Sequence, residues 1–205
     1  MRYPKRLLIL GVSVACALAS ATMAQQHNSV TATEAADGWV LLFDGSSLTG
    51  WAPRLDGQWE VVDGTISAVP DAGRGFMATT AHYANFQLAV DFWIDDTANS
   101  GVFLRCPAEG AISQGNAFEV NIFDPHETWP TGSINEVAKI QTVPQTAGQW
   151  NTFEITAAGD HLVVQLNGQT AVDANSDRHQ SGPIALQYNG SGQVRFRNIK
   201  IKTLD

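Results

Sequence analysis

From about residue 38 onward, apolar and polar positions alternate with a period of two rather than 3.6. Phe86, Leu88, Val90, Phe92 and Ile94 alternate with Gln87, Ala89, Asp91 and Trp93. Phe118, Val120 and Ile122 alternate with Glu119, Asn121 and Phe123. Leu162, Val164 and Leu166 alternate with His161, Val163 and Gln165. Each run predicts a strand with one face in a core. Asp63-Gly64 and Asn167-Gly168 sit between apolar runs, where such pairs make tight hairpins. Near the end, Val194 and Phe196 keep one phase, and Ile199 and Ile201 take the other. That shift predicts a bulge or bend around Arg197-Asn198. About a dozen short strands with frequent turns, and no convincing amphipathic helix, predict an all-β, two-sheet sandwich or jelly roll.

The first two dozen residues follow a different rule. Arg2, Lys5 and Arg6 precede an apolar stretch from Leu7 to Ala21, and Thr22-Met23-Ala24 offers small residues for cleavage before Gln25. This predicts a signal peptide over residues 1–24, cleaved after Ala24, and a periplasmic or secreted protein. The stretch is shorter than the ~20 residues of a spanning helix, so no membrane insertion is expected. Ser13 stands where lipoprotein signals carry Leu, which argues against lipid attachment at Cys16. Residues 25–37 are small and polar and predict a flexible leader. Residues 38–205 then form a single domain, of a size that sustains its own core.

Composition adds the class of partner. The chain carries 12 basic and 20 acidic residues, net −8, and the signal removes three of the basic ones and no acid. An acidic surface disfavours nucleic acid and anionic membranes, and is neutral towards a small carbohydrate. Cys106 is the only cysteine after cleavage, so no internal disulfide forms and the core must hold the fold. A small buried strand residue is a better description of Cys106 than a nucleophile. Nothing in the pattern specifies an oligomeric state.

Several residues could carry chemistry. Val102 and Leu104 are expected to face the core, which puts Phe103 and Arg105 on the opposite face. There Arg105 could hold a ketone or hydroxyl oxygen, or else make a surface ion pair. Glu119 and Asn121 share a face. Asp124 has the parity of the core, so either the strand ends or bulges before it, or Asp124 meets a specific partner. Asp124-Pro125 favours an ending. With His126 close by, the group predicts a polar site. Its oxygens suit Ca²⁺ or Mg²⁺, yet no tight ligand motif is present, and the sequence requires no cofactor. Trp129-Pro130 followed by Thr131-Gly132 predicts a loop at a strand mouth, with ring and amides able to meet a sugar. Of the six Trp, Trp93 and Trp129 are expected to be exposed, and Trp39, Trp51, Trp59 and Trp150 to be core.

One set of segments, taken in order, carries a resemblance. It comprises Val40-Leu41-Leu42-Phe43-Asp44-Gly45, Leu48-Thr49-Gly50-Trp51, Trp59-Glu60-Val61-Val62-Asp63-Gly64 and Asn99-Ser100-Gly101-Val102-Phe103-Leu104-Arg105. Phe118-Glu119-Val120-Asn121-Ile122-Phe123-Asp124, Thr131-Gly132-Ser133-Ile134 and Gly182-Pro183-Ile184-Ala185-Leu186-Gln187 complete it. Over about residues 38–204 the chain resembles the 3-keto-disaccharide hydrolase family. The departures are Asn121, where many members carry Gln, and Asn135, where many carry an aromatic residue. The resemblance implies a concanavalin A-like sandwich and hydrolysis of glycosides whose C3 hydroxyl has been oxidised to a ketone. In that reading Glu119 or Asp124 is the base, Arg105 stabilises the oxyanion, and the other carboxylate or His126 is the acid. Asn99, Asn121, His126, Trp129, Thr131 and Gly132 would bind the substrate. The alternatives are direct two-carboxylate displacement, a lectin-like binding module of the same fold, or a periplasmic adhesion domain.

Overall fold

A computed structural model describes residues 27–205. The expected signal peptide, residues 1–24, lies outside them. Thirteen strands and one short helix follow in order: α1 (Ala32–Ala36), β1 (Trp39–Leu41), β2 (Trp51–Leu55), β3 (Trp59–Val62), β4 (Thr65–Ala68), β5 (Gly75–Thr79), β6 (Phe86–Ile94), β7 (Ser100–Leu104), β8 (Phe118–Ile122), β9 (Trp150–Ala158), β10 (His161–Leu166), β11 (Gln169–Asn175), β12 (Ala185–Tyr188) and β13 (Val194–Thr203). They make two antiparallel sheets. The larger has the order β11-β10-β9-β6-β13-β4-β3, with β1 also on β13, and the smaller has the order β2-β5-β12-β7-β8. Among the described residues no helix is long and apolar enough to cross a membrane.

The alternation decides what lies between the sheets. Leu88, Val90, Phe92, Phe153, Ile155, Phe196 and Ile201 of the larger sheet meet Met77, Val102, Leu104, Phe118, Val120 and Leu186 of the smaller. Burial of this apolar area is the main favourable term for the fold. The two expected hairpins form. Asp63 and Gly64 (φ 49° and 71°) join β3 to β4, and Asn167 and Gly168 (φ 52° and 76°) join β10 to β11. Positive φ at both turn positions matches the twist of the paired strands. The expected bulge in β13 is also present: pairing with β6 shifts between Arg197 and Lys200, and Asn198 has φ 52°.

Two expectations are corrected. Residues 27–37 are not a loose leader. Asn28 donates from its side chain to the Gly64 carbonyl (2.8 Å), and its Oδ1 accepts the Asn198 amide (2.8 Å). Thr31 and Glu34 form a capping box on α1, and Glu34 pairs with Lys200. That pairing, with the Thr31 amide, lowers the Glu34 pKa to about 2. Trp39 and Trp150 are not core either. They lie on the outer face of the larger sheet, where Lys200 sits over Trp39 (5.8 Å) and Arg197 over Trp150 (3.8 Å). The indole faces stack against cations there.

A second apolar cluster lies on the outer face of the smaller sheet. Phe76, Ala78, Phe103 and Ala185 point away from the core and are covered by Cys106, Ile112 and Ala117 of segment 105–117. Arg54 on β2 anchors that segment, donating to the carbonyls of Pro107 (3.2 Å), Gly110 (3.5 Å) and Ala108.

Candidate functional site

The outer face of the smaller sheet carries the polar residues of a candidate site. Alternation along β8 buries Phe118, Val120 and Ile122 in the core and turns Glu119 and Asn121 outward, as expected. Glu119 stands directly across from Phe103 on β7, and Asn121 across from Gly101. Segment 112–115 borders an open cleft of about 400 Å³ on this face. Phe76, Phe103 and Gln187 line it from the strands, Ile112 and Gln114 from that segment, and Glu119 from β8.

Glu119 is 3% exposed. Its Oε2 accepts from the side-chain amides of Gln114 (2.6 Å) and Asn135 (2.7 Å). Its Oε1 lies against Gly101, where a Cβ would come within 2.9 Å. Burial raises the Glu119 pKa, and the two amide hydrogen bonds only partly offset that. The result is a carboxyl group, at the wall of an open and largely polar cleft, that keeps its proton further up in pH than an ordinary glutamate. Such a group suits general acid–base chemistry. Two buried acceptors, Asn135 Oδ1 and Gln187 Oε1, have no partner. Of the two residues, Gln187 also lines the cleft.

Asn135 reaches Glu119 because segment 131–135 runs along β8 like an extra strand. The Asn121 amide donates to the Ser133 carbonyl, and the Asn135 amide donates to the Glu119 carbonyl. Val120 and Ile134 form a bridge between the two. The Asn121 side chain donates to the Trp129 carbonyl and so fixes the start of the segment.

The other expected site residues are placed differently. Arg105 is the main correction. It has φ 53°, which ends β7 and breaks the alternation, so it does not share the face of Phe103. It is 2% exposed and donates to the carbonyls of Ala84 (2.9 and 2.7 Å), Gly159 (2.8 Å) and His179 (2.8 Å). Its donors are spent on backbone that includes the β9–β10 turn of the other sheet. Asp124 lies beyond the end of β8, where its carboxylate accepts from the Thr146 amide (2.6 Å) and hydroxyl (2.8 Å). Arg105, Glu119 and Asp124 therefore do not converge in the cleft. His126 accepts the amides of Thr128 and Trp129 through Nδ1 and shapes its own turn. Thr131 and Gly132 are buried in the segment beside β8, and Thr131 Oγ1 has no partner. The Asn99 carbonyl accepts the Asn189 amide at the start of β7. None of these lines the cleft.

Glu136 is a second carboxylate at the cleft. It is exposed and pairs with Arg178 at 3.1 Å. Gln114 and Glu136 could not be picked out from sequence, because they come from loops with no motif of their own, and Gln187 ends segment 182–187 without any sign there of a site role. Asn135 stood out only as a departure. Among the described residues no three His, Cys, Asp or Glu side chains gather as a metal site.

Comparison with known proteins bears on the family and the fold. A 3-keto-disaccharide hydrolase of Bacteroides thetaiotaomicron is 23% identical over 255 aligned positions, covering 94% of this chain and 87% of that protein. A crystal structure of a provisionally assigned glycosyl hydrolase from Parabacteroides distasonis superposes with a TM-score of 0.76 at 24% identity, covering 88% of this chain and 100% of that one. A carbohydrate-binding module from Bacillus subtilis superposes with a TM-score of 0.60 at 19% identity, over 75% of this chain and 96% of the module. The concanavalin A-like sandwich is thus shared with both glycosidases and sugar-binding modules. A family description, the 3-keto-alpha-glucoside-1,2-lyase-like domain, matches residues 38–202, and the chain belongs to that family.

Proposed function

We propose that this is an exported hydrolase of 3-keto-glycosides, with Glu119 as its acid–base residue. The observation that carries the reading is a single buried carboxyl group of raised pKa in a cleft whose lining also includes two side-chain amides, two phenylalanine rings and the exposed Glu136. The signal-like pattern of residues 1–24 supports export.

A ketone at C3 acidifies the C2 proton. Glu119 takes that proton, and its electron pair moves into an enolate at C2, C3 and oxygen. The enolate then expels the group at C1, which leaves with the proton now on Glu119, and a C1–C2 double bond forms. Water adds back, oxygen to C1 and hydrogen to C2, so the net reaction is hydrolysis. One carboxyl group can serve both directions, which fits a cleft with one buried acid. Arg105 and Asp124 are engaged elsewhere and act as scaffold. Neutral donors such as Ser113, which also lines the cleft, would meet the enolate oxygen.

A 3-keto-glucoside in D₂O tests this. The wild type should release the aglycone and place deuterium at C2, and Glu119→Gln should lose about 10²-fold or more in rate. The rival reading is a lectin-like module, favoured by the absence of a second buried carboxylate in the cleft. No turnover and no exchange, with saturable binding of unoxidised sugar, would establish the rival.

A further inference from the structure

The two oxygens of the buried acid in the cleft have different surroundings. Oε2 accepts from two side-chain amides, Gln114 at 2.6 Å and Asn135 at 2.7 Å, and Oε1 accepts from none of the described residues. We infer that Glu119 carries and exchanges its proton at Oε1 alone, and that Gln114 and Asn135 are the positioning residues that impose this. The inference deepens the hydrolase reading and rests on it for the substrate, while the place of the proton has a test of its own.

A carboxylate oxygen has two lone pairs in the plane of the group, and two N–H donors take up both at Oε2. A proton on Oε2 would displace one of these donors. Asn135 is 1% exposed, so displacing it strands a buried N–H. A proton on Oε1 displaces nothing. Oε1 is also open. The enclosed, unpartnered polar atoms of the described side chains are Trp59 Nε1, Thr131 Oγ1, Asn135 Oδ1, His179 Nε2 and Gln187 Oε1, and Glu119 Oε1 is not among them. Gly101 makes the room. It lies within β7 and has no left-handed φ, so its backbone does not require glycine. A Cβ there would come within 2.9 Å of Oε1 and 3.3 Å of the Phe103 ring. The two donors come from separate elements, Gln114 from exposed segment 112–115 and Asn135 from the buried segment along β8. Together they fix the carboxyl group with Oε1 free. Both also favour the carboxylate against the effect of burial. The charged groups at the cleft are Glu136 and its partner Arg178; β7, β12 and segments 112–115 and 131–135 bring none.

Two measurements test this. The first is the infrared carbonyl band of protonated Glu119, isolated as the difference between the wild type and Glu119→Gln. With the proton on Oε1 the carbonyl oxygen is Oε2, and its two hydrogen bonds lower the stretching frequency. Gln114→Met and Asn135→Leu should each raise that frequency. A wild-type band at the unbonded frequency, unmoved by either substitution, would put the proton on Oε2 and overturn the inference. The second is kcat/KM against pH for a 3-keto-glucoside. Met keeps the length of Gln without the donor, so Gln114→Met should move the acid limb to higher pH, a loss of about tenfold below the wild-type midpoint. Gln114→Lys supplies a charged donor and should move the limb to lower pH. Glu136 and Arg178 are the same in every variant, so they do not separate the limbs. Superimposed limbs would overturn the positioning role. Gln114 is exposed, so its two variants carry the test even where Asn135→Leu fails to fold. Turnover by none of the proteins would fell the hydrolase reading, and the infrared band would still decide the place of the proton.

Discussion

Glu119 places a carboxyl group where a charge is costly, and this links the site to stability. Its pKa is raised in the folded protein by burial, from a reference value of 4.5. Between the unfolded and the folded value, the native state holds a proton that the unfolded chain has released. The contribution of Glu119 to stability is therefore greatest below the unfolded value, and it falls as pH rises through the folded one. Urea unfolding from about pH 4 to about pH 8 should show this decline in the wild type and a flatter profile in Glu119→Gln. Parallel profiles would show that burial does not tax the carboxylate. Gly101 is bound to the same group. A Cβ there would press on Glu119 Oε1 at 2.9 Å and Cγ at 3.1 Å. Gly101→Ala should cost about 1–3 kcal/mol and lower turnover about tenfold, read by denaturation and by the keto-glucoside assay.

At the scale of elements, the N-terminal segment is a working part of the larger sheet. Asn28 closes over the β13 bulge and the β3–β4 turn together. Asn28→Ala should lower stability by about 1–2 kcal/mol in chemical denaturation, and an unchanged midpoint would return residues 27–37 to the status of a leader. Much of the sandwich was legible in the sequence because it rests on local rules. Asp63-Gly64 and Asn167-Gly168 tolerate positive φ, and the phase change between Phe196 and Ile199 cannot be accommodated without a bulge. The site was legible only in part. Parity put Glu119 and Asn121 on one face, and this held because β8 is regular. The same parity failed for Arg105, because a left-handed residue at a strand end turns the chain and no residue type announces it. Segment 131–135 reads in the sequence as a loop at a strand mouth and not as a partner of β8. It pairs with β8 through backbone bonds but has no apolar period to mark it as a strand. Trp39 and Trp150 were misplaced because an indole pattern cannot tell a core from a cation-stacked outer face.

The whole domain is held by packing. Cys106 is the single cysteine among the described residues, free and 2% exposed, and burial pushes its thiol up to about 12. Reductant should leave the melting temperature of residues 25–205 unchanged, and a thiol reagent should label Cys106 only on unfolding. A shift with reductant or rapid native labelling would contradict this picture. The guanidinium of Arg105 has a consequence for the order of assembly. Its partners at positions 84, 159 and 179 are 21, 54 and 74 residues away along the chain. Gly159 is in reach only after the turn between β9 and β10 has docked beside the end of β7, and His179 only after the chain has returned from β11. Closing such long loops is entropically expensive, so these bonds belong to the last stage of folding. Arg105 then acts as a latch closed after the sheets have met. Arg105→Lys should therefore speed unfolding more than it slows folding, read from the two limbs of a denaturant chevron.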